Sequence, residues 1–490
     1  MRSNEIFNNF PSDWYSIPLG QLVKESNGII QTGPFGSQLH AEDYVLIGTP
    51  SIMPKNISVN GVIDTDIARI KASDLERLSR YQVKKGDIIY SRRGDVEKCA
   101  LISERENGWL CGTGCILIRL GNSDISPEFL HAYLSHPLVR AWIVRHAIGA
   151  TMPNLNTTIL SELPVLVPTK KIRKCIKENW TSLTKKILIN SEINQTLEQM
   201  AQALFKSWFV DFEPVKAKIT VLEAGGSQED ATLAAMTAIS GKDADALVVF
   251  EREHPEQYAE LKVTAELFPS AMQDSELGEI PEGWEVSDIK SSVSELRRGI
   301  SPKYTDDADG IMVINQKCIR NHTINFSLAR RHDGKIRSTS GRELQIGDIL
   351  VNSTGVGTLG RLAPVRYKSE ILIADSHVTV VRADTKKITK SFLSELLKKH
   401  EKHIESSGSG STGQTELRKE TLEEIKFPCP PVILGQLFDE IVNNFNKKIS
   451  IMEEQMIALS NLRDTLLPKL LSGEITLPEA EQAVSEAENV

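Results

Sequence analysis

The sequence predicts an α+β fold: two pseudo-symmetric, β-rich α/β halves separated by two long antiparallel, coiled-coil-like helices. Three observations predict it. Landmarks recur in the same order in the two halves of the chain. A stripe of apolar residues at helical spacing occurs twice, and a Gly-Asp pair leading into an apolar run occurs twice.

Among the landmarks, Asp13-Trp14-Tyr15 answers Gly283-Trp284-Glu285 at an offset of 270. Gly86-Asp87-Ile88-Ile89 answers Gly347-Asp348-Ile349-Leu350 at 261. Phe129-Leu130 answers Phe392-Leu393 at 263, and Leu160 to Leu163 closing with Pro168 answers Leu422 to Ile425 closing with Pro430 at 262. Each Gly-Asp pair reads as a turn feeding a short strand, Ile88–Tyr90 and Ile349–Val351. Cys115–Ile118 and Val378–Val381 read as buried strands, and Pro127–Ser135 and Lys390–His400 as short helices. The globular halves are expected over 1–168 and 282–431.

A long helix is expected after each half, over 169–213 and 432–473. In the first, Ile176, Trp180, Leu183, Ile187, Leu197, Met200 and Leu204 fall at steps of three and four. Adding 262 gives Phe438, Val442, Phe445, Ile449, Leu459, Leu462 and Leu466, all apolar. The steps at Asn190 and Asn194, opposite Met452 and Met456, are polar; they either fix register in the seam or face water. About 35 residues per helix at ~1.5 Å each makes a spacer of roughly 50 Å, against about 34 Å for a turn of B-DNA. Between the halves lies an unduplicated acidic connector, 214–281, with a helical run from Glu229 to Ala238. Gly408-Ser409-Gly410-Ser411 reads as a flexible loop, and 474–490 as a disordered tail.

Composition narrows the class. The chain has 490 residues, 40% hydrophobic and 25% charged, which excludes disordered and collagen-like chains. No run of 18 apolar residues exists, so no membrane span is expected. Met1–Trp14 lacks the apolar stretch of a signal peptide. Six widely spaced Cys suggest reduced thiols and a cytoplasmic location. The net charge of -8 argues against nucleic acid only if it is evenly spread. It is not: residues 219–281 carry -10 and 432–490 carry -6, while 1–218 and 282–431 together carry +8.

Catalytic signatures are scarce. No phosphate-cradling Gly-x4-Gly-Lys-Ser/Thr is present, and no Asn-Pro-Pro-aromatic motif. Gly355 to Gly360 matches G-x-G-x-x-G, but Pro364 forbids the helix that a nucleotide site needs. Cys111-x3-Cys115 lacks a second pair at metal spacing and reads as strand core. Glu260-Leu261-Lys262 resembles the end of a nuclease motif but reads as a solvated helix. No catalytic residue and no metal ligand is expected, which favours a binding or assembly protein over an enzyme.

Basic residues meet polar loops in both halves. Arg92 and Arg93 follow the first Gly-Asp strand, and Thr354 and Arg361 flank the equivalent turn. Lys303, Lys317, Arg320, Arg330 and Arg331 cluster with Asn315 and Gln316. Cations neutralise phosphates, while Arg, Asn and Gln read base edges. The bland alternative is a solvated charged face.

Five further segments stand out: Thr32-Gly33-Pro34-Phe35-Gly36-Ser37-Gln38-Leu39, Arg298 to Tyr304, Val313 to Arg320, Leu204 to Val215, and Gly278 to Trp284. Together they resemble one family, the specificity (S) subunits of type I restriction-modification enzymes. The likeness covers nearly the whole chain. It implies two target recognition domains, each reading half of a bipartite duplex DNA site, with Gln31, Ser37 and Gln38 added to the expected contacts. It implies helices that set the spacer and dock two methyltransferase subunits and two motor-nuclease subunits. S-adenosylmethionine, ATP and Mg2+ belong to those partners, so this chain is expected to hold no cofactor. Phe205, Trp208, Phe209 and Phe212 are the expected subunit contact, with helix-end packing inside the chain as the alternative. Two rival functions remain: a helical scaffold that does not bind DNA, and a nuclease hidden in the connector.

Overall fold

The computed structural model describes residues 5–7, 10–64, 66–149, 153–355, 357–408, 416–472 and 482. The loop expected at 408–411 lies outside these from Ser409 onward, as does the tail expected over 474–490 apart from Gln482. The chain divides into two compact units, Met1–Glu192 with Met452–Val490, and Ile193–Ile451.

In the first unit, Ile29–Thr32, Cys115–Arg119, Ile88–Ser91 and Cys99–Leu101 form a four-stranded antiparallel sheet in that order. A second sheet runs Leu110–Cys111, Thr49–Ile52, Ala68–Ile70, Tyr44–Val45, its first pair parallel. Tyr15–Pro18 pairs with Pro164–Val167 and ties the two ends of the globular part together. Side chains alternate across a strand, and the alternation sorts the core into two layers. Ile88, Tyr90, Ile116 and Ile118 face the helices, where Phe129, Tyr133 and Trp142 are buried. Ile89, Cys115 and Leu117 face the opposite way, against Ile52 of the second sheet. A strand covered on both faces needs a continuous apolar run, and each Gly-Asp pair leads directly into one.

The second unit repeats this. Val293–Arg298, Val378–Ala383, Ile349–Asn352 and Leu362–Pro364 form the antiparallel sheet. Leu372–Ala374, Ile311–Ile314, Arg330–His332 and Tyr304–Thr305 form the other, again with its first pair parallel. Glu285–Asp288 pairs with Lys426–Cys429. Ile349, Val351 and Val381 face the helix layer while Leu350, Val378 and Val380 face the second sheet. The order of strands is the same in both units, so the expected pseudo-symmetric α+β fold is what the chain adopts. The short helices also appear, at Pro127–Ser135 and Lys390–Lys399.

The turns themselves are built alike. Asp87 accepts from the Lys84 N–H at 2.6 Å and from the Arg119 guanidinium at 2.7 and 2.6 Å. Asp348 accepts from the Gln345 N–H at 2.7 Å and from Arg382 at 2.6 and 2.7 Å. Gly86 and Gly347 stand at φ +89° and +95°, a region that favours glycine.

Two long helices span Lys170–Phe209 and Val432–Ser472. Within the first unit they run antiparallel. Arg463 stacks its guanidinium 4.7 Å from the Trp180 ring, and further along the seam Asn190 donates to Gln455 at 3.1 Å. Ile176, Trp180, Leu183 and Ile187 are buried there with Leu459, Leu466 and Leu467. Asn190 is only 5% exposed, so of its two readings the seam, not water, is its place. Arg463, buried at 2% exposure, also donates to Asn60. The connector folds as four helices, Glu213–Glu223, Gln228–Ser240, Ala244–Glu253 and Pro255–Glu266, where one run was expected. Their boundaries are marked by Ser227 and Asp243 as N-caps, Gly241 at φ +67° and Pro255 in a first turn.

Burial sets a pH dependence in the first unit. His131 Nδ1 accepts from the Trp180 indole at 3.2 Å, and desolvation, aided by nearby Arg463, pushes His131 down to about 4. Desolvation alone pushes His136 down to about 4. Both stand below the unfolded value of about 6.5. The unfolded chain therefore takes up protons first as pH falls. The stability these imidazoles contribute is intact above pH ~6.5 and is lost progressively down to pH ~4, about 3 kcal/mol for each. We expect urea unfolding of His131→Gln to show a visibly shallower pH slope than wild type across that window. Parallel slopes would mean that His131 titrates normally.

Candidate nucleic-acid interface

In the first unit the polar loop Gly33–Leu39 leaves the edge strand Ile29–Thr32. Gly33 is obligatory there, because a Cβ would stand 2.1 Å from the Gly112 carbonyl oxygen. Gln38 Oε1 accepts from the Phe35 N–H at 3.2 Å and from the Tyr81 hydroxyl at 2.9 Å. Arg80 donates to that same hydroxyl, lies 4.5 Å from the Tyr81 ring, and offers its carbonyl to Gln31 Nε2 at 2.8 Å. Arg92 lies 5.8 Å from the ring of Phe35, which is 53% exposed. Gln31, Gln38 and Arg92 thus meet around one loop. Ser37 and Arg93 are exposed, Arg93 bridging to Asn154 through its backbone.

In the second unit Tyr304 follows the corresponding edge strand. Its ring carries Arg330 at 3.5 Å, and its hydroxyl donates to Asp375 at 2.6 Å. Burial first, then the Asp375 carboxylate, raises the Tyr304 pKa, so the phenol stays protonated. Lys303, Lys317 and Arg320 are exposed. Asn315 shapes its own turn, accepting from the Lys317 N–H at 2.9 Å and donating to the Leu328 carbonyl at 3.3 Å. Thr354 donates to Gln316 Oε1 at 3.0 Å and meets His377 Nδ1 at 2.9 Å. Arg331 is taken up elsewhere, by both oxygens of Glu370 and by the Gly310 carbonyl, which competes with any phosphate. Arg361 is half-buried on the Gly355–Gly360 turn.

Sequence reasoning named the cations and amides separately and missed the residues that hold them: Tyr81, Tyr304, Asp375 and His377. Tyr304 stood inside a quoted motif. His377 carried no local signal, because its partners are far along the chain.

The aromatic expectation requires correction. Phe205, Trp208, Phe209 and Phe212 are between 0% and 6% exposed. Within the second unit Phe209 packs on Phe392 at 5.1 Å and Phe438 at 5.3 Å, Trp208 on Phe268 at 5.4 Å, and Phe212 on Trp284 at 5.7 Å. Rings filled on all sides by their own unit offer a partner nothing, so helix-end packing describes them.

Other motifs resolve as structure. Cys115 donates to the Ile52 carbonyl at 3.2 Å, and burial raises Cys111 to about 12, as strand-core thiols should behave. Among the described residues no group of His, Cys, Asp and Glu is placed to hold a metal ion, and no helix is long and apolar enough to cross a membrane.

Two units of one design, each with an aromatic, cation-bearing polar rim, define a duplicated recognition protein. The model of the type I restriction modification DNA specificity domain matches residues 11–199 and again 281–461, and the chain belongs to that family. It is 29% identical over 483 residues to the type I restriction enzyme HindI specificity subunit of Haemophilus influenzae, covering 95% of this chain and 100% of that one. It is 23% identical over 361 residues to the MjaIX specificity subunit of Methanocaldococcus jannaschii, covering 72% and 70%. Among solved structures, the S subunit from M. genitalium aligns with a TM-score of 0.43 at 14% identity over 96% of this chain and 98% of that one. The HsdS subunit from Thermoanaerobacter tengcongensis aligns at 0.31 and 12%, over 95% and 98%.

Proposed function

We propose that this chain is the DNA-specificity subunit of a type I restriction-modification complex. Each unit reads one half of a bipartite duplex target, and the long helices set the spacer and dock two methyltransferase and two motor-nuclease subunits. The chain supplies address and no chemistry. S-adenosylmethionine, ATP and Mg2+ belong to the partners, which work with it in the cytoplasm; six free thiols fit a reducing compartment.

The observation that carries this reading is the duplication. In each unit an aromatic ring that follows the edge strand of the antiparallel sheet has a guanidinium beside it: Phe35 with Arg92, and Tyr304 with Arg330. Two such rims in one chain suit a target read in two pieces. Co-expression with the methyltransferase subunit should methylate one gapped motif, and replacing one unit should change one half of it. A continuous motif, or no methylation, sinks the two-half reading. A gel shift that stays blank with the methyltransferase present would favour the scaffold instead.

The exposed cations give a second test. Arg330→Ala should weaken DNA binding, and loss of one phosphate contact should flatten the plot of log K against log salt by about one unit. An unchanged slope removes Arg330 from the phosphate contacts.

A further inference from the structure

Three polar side chains from separate strand ends meet at the rim of the second unit. Gln316 follows the strand Ile311–Ile314, Thr354 follows Ile349–Asn352, and His377 precedes Val378–Ala383. The Thr354 hydroxyl donates to Gln316 Oε1 at 3.0 Å and meets His377 Nδ1 at 2.9 Å. Asn352 fixes the Gln316 backbone by donating to its carbonyl at 3.0 Å, and Asp375 accepts the His377 N–H at 2.9 Å. Gly355, at φ +101°, leaves room beside the amide, since a Cβ there would stand 3.3 Å from Gln316 Nε2. The G-x-G-x-x-G match therefore has a structural use at its first glycine that involves no nucleotide phosphate.

A surface glutamine ordinarily rotates freely and loses that freedom on binding. Here the amide is held beforehand, which lowers the cost of using it. A carbonyl oxygen has two lone pairs, so Oε1 can accept from Thr354 and still accept once more. Nε2 keeps two donors. The held amide thus presents a donor beside an acceptor, the pattern that pairs with the N7 and N6 amino group of adenine. Guanine sets an acceptor, O6, where adenine has a donor, and would face Oε1. Lys317 and Arg320, exposed nearby in sequence, supply cations for the backbone.

We propose that Gln316 reads an adenine in the half-site of the second unit, with Thr354 and His377 as its positioning residues. This rests on the DNA-specificity reading above and names one base contact within it.

The test uses the whole complex with its methyltransferase partner. Modified-base sequencing of host DNA gives the wild-type motif, and duplexes carrying that motif are made with 7-deazaadenine at each adenine in turn. In wild type, one such adenine in one half-site should cost roughly tenfold to a hundredfold in binding. With Gln316→Ala the same substitution should cost nothing further, and the motif should relax at that position alone. Thr354→Val should lose most of the discrimination and Thr354→Ser should restore it, an outcome that general loosening of the loop does not produce. Thermal melting of each variant separates misfolding from lost contact, and Gln316→Glu, isosteric but lacking the donor, serves if the alanine variant melts early. If 7-deazaadenine and Gln316→Ala lower affinity additively at every adenine, or the motif stays unchanged, the assignment is overturned. If the wild-type complex yields no motif at all, the specificity reading fails, and this one with it.

Discussion

Replacing Glu198 by Ala should cost the second unit about 3–5 kcal/mol. Glu198 sits on the first long helix and receives Lys398 Nζ at 2.6 Å and the Arg366 guanidinium. The two cations are nearly sealed from water, with side chains 4% and 3% exposed. Desolvation lowers the Lys398 pKa, and the nearby carboxylates, Glu395 first among them, oppose it. Lys398 keeps Glu395 at 2.7 Å, and Arg366 keeps Asn446 at 3.1 Å and the His322 carbonyl at 2.9 Å. Without Glu198 both buried cations lose a carboxylate, and neither can turn to solvent. At ~2–4 °C per kcal/mol for a unit of this size, the melting temperature should fall by about 10 °C. Glu198→Gln, which keeps an acceptor, should fall by less. A loss under ~1 kcal/mol for Glu198→Ala would show that water reaches the pair.

None of that network was legible in the sequence, and the reason is physical. Periodicity records which positions are apolar, so it announced the strands Ile88–Ser91 and Ile349–Asn352, the two helical stripes and the short helices with little error. It says nothing about which charges pair across the fold. Glu198 and Lys398 are both charged residues on amphipathic helices, and nothing local separates them from solvated ones. The aromatic run failed for a related reason. Phe205, Trp208, Phe209 and Phe212 have the same spacing whether they fill a core or meet another protein, and only Phe392, Phe438 and Trp284, far along the chain, decide it. Asn190 was ambiguous until Gln455 stood opposite it. At the candidate interface, residue type named Gln316 and Thr354 singly. The contact between them, and with His377, exists only because three strand ends converge.

The duplicated Asp-Arg turn makes the repeat an experiment. Asp87 and Asp348 are each 1% exposed, and each holds one backbone N–H and both arms of an arginine on a neighbouring strand of its sheet. Arg119 and Arg382 are themselves raised in pKa by these carboxylates, hydrogen bonding first. Removing the carboxylate takes two hydrogen bonds from the guanidinium and the acceptor from a turn N–H, while Arg119 keeps the Gln82 carbonyl and Arg382 keeps Glu295 and the Glu343 carbonyl. Asp87→Ala and Asp348→Ala should each cost about 3–5 kcal/mol. Arg119 is 26% exposed and Arg382 16%, so water can compensate somewhat better in the first unit. Arg382 instead keeps a second carboxylate, Glu295 at 2.8 Å, so the two losses should be of similar size. Hydrogen exchange read by mass spectrometry localises the effect. Asp87→Ala should release Ile88–Ser91 and Cys115–Arg119 while Ile349–Asn352 stays protected, and Asp348→Ala should do the reverse. Release of both units by either change would mean that they unfold as one body and that each core does not stand on its own turn. Protection unchanged in both would mean that the apolar run alone, and not the aspartate that precedes it twice, fixes these strands.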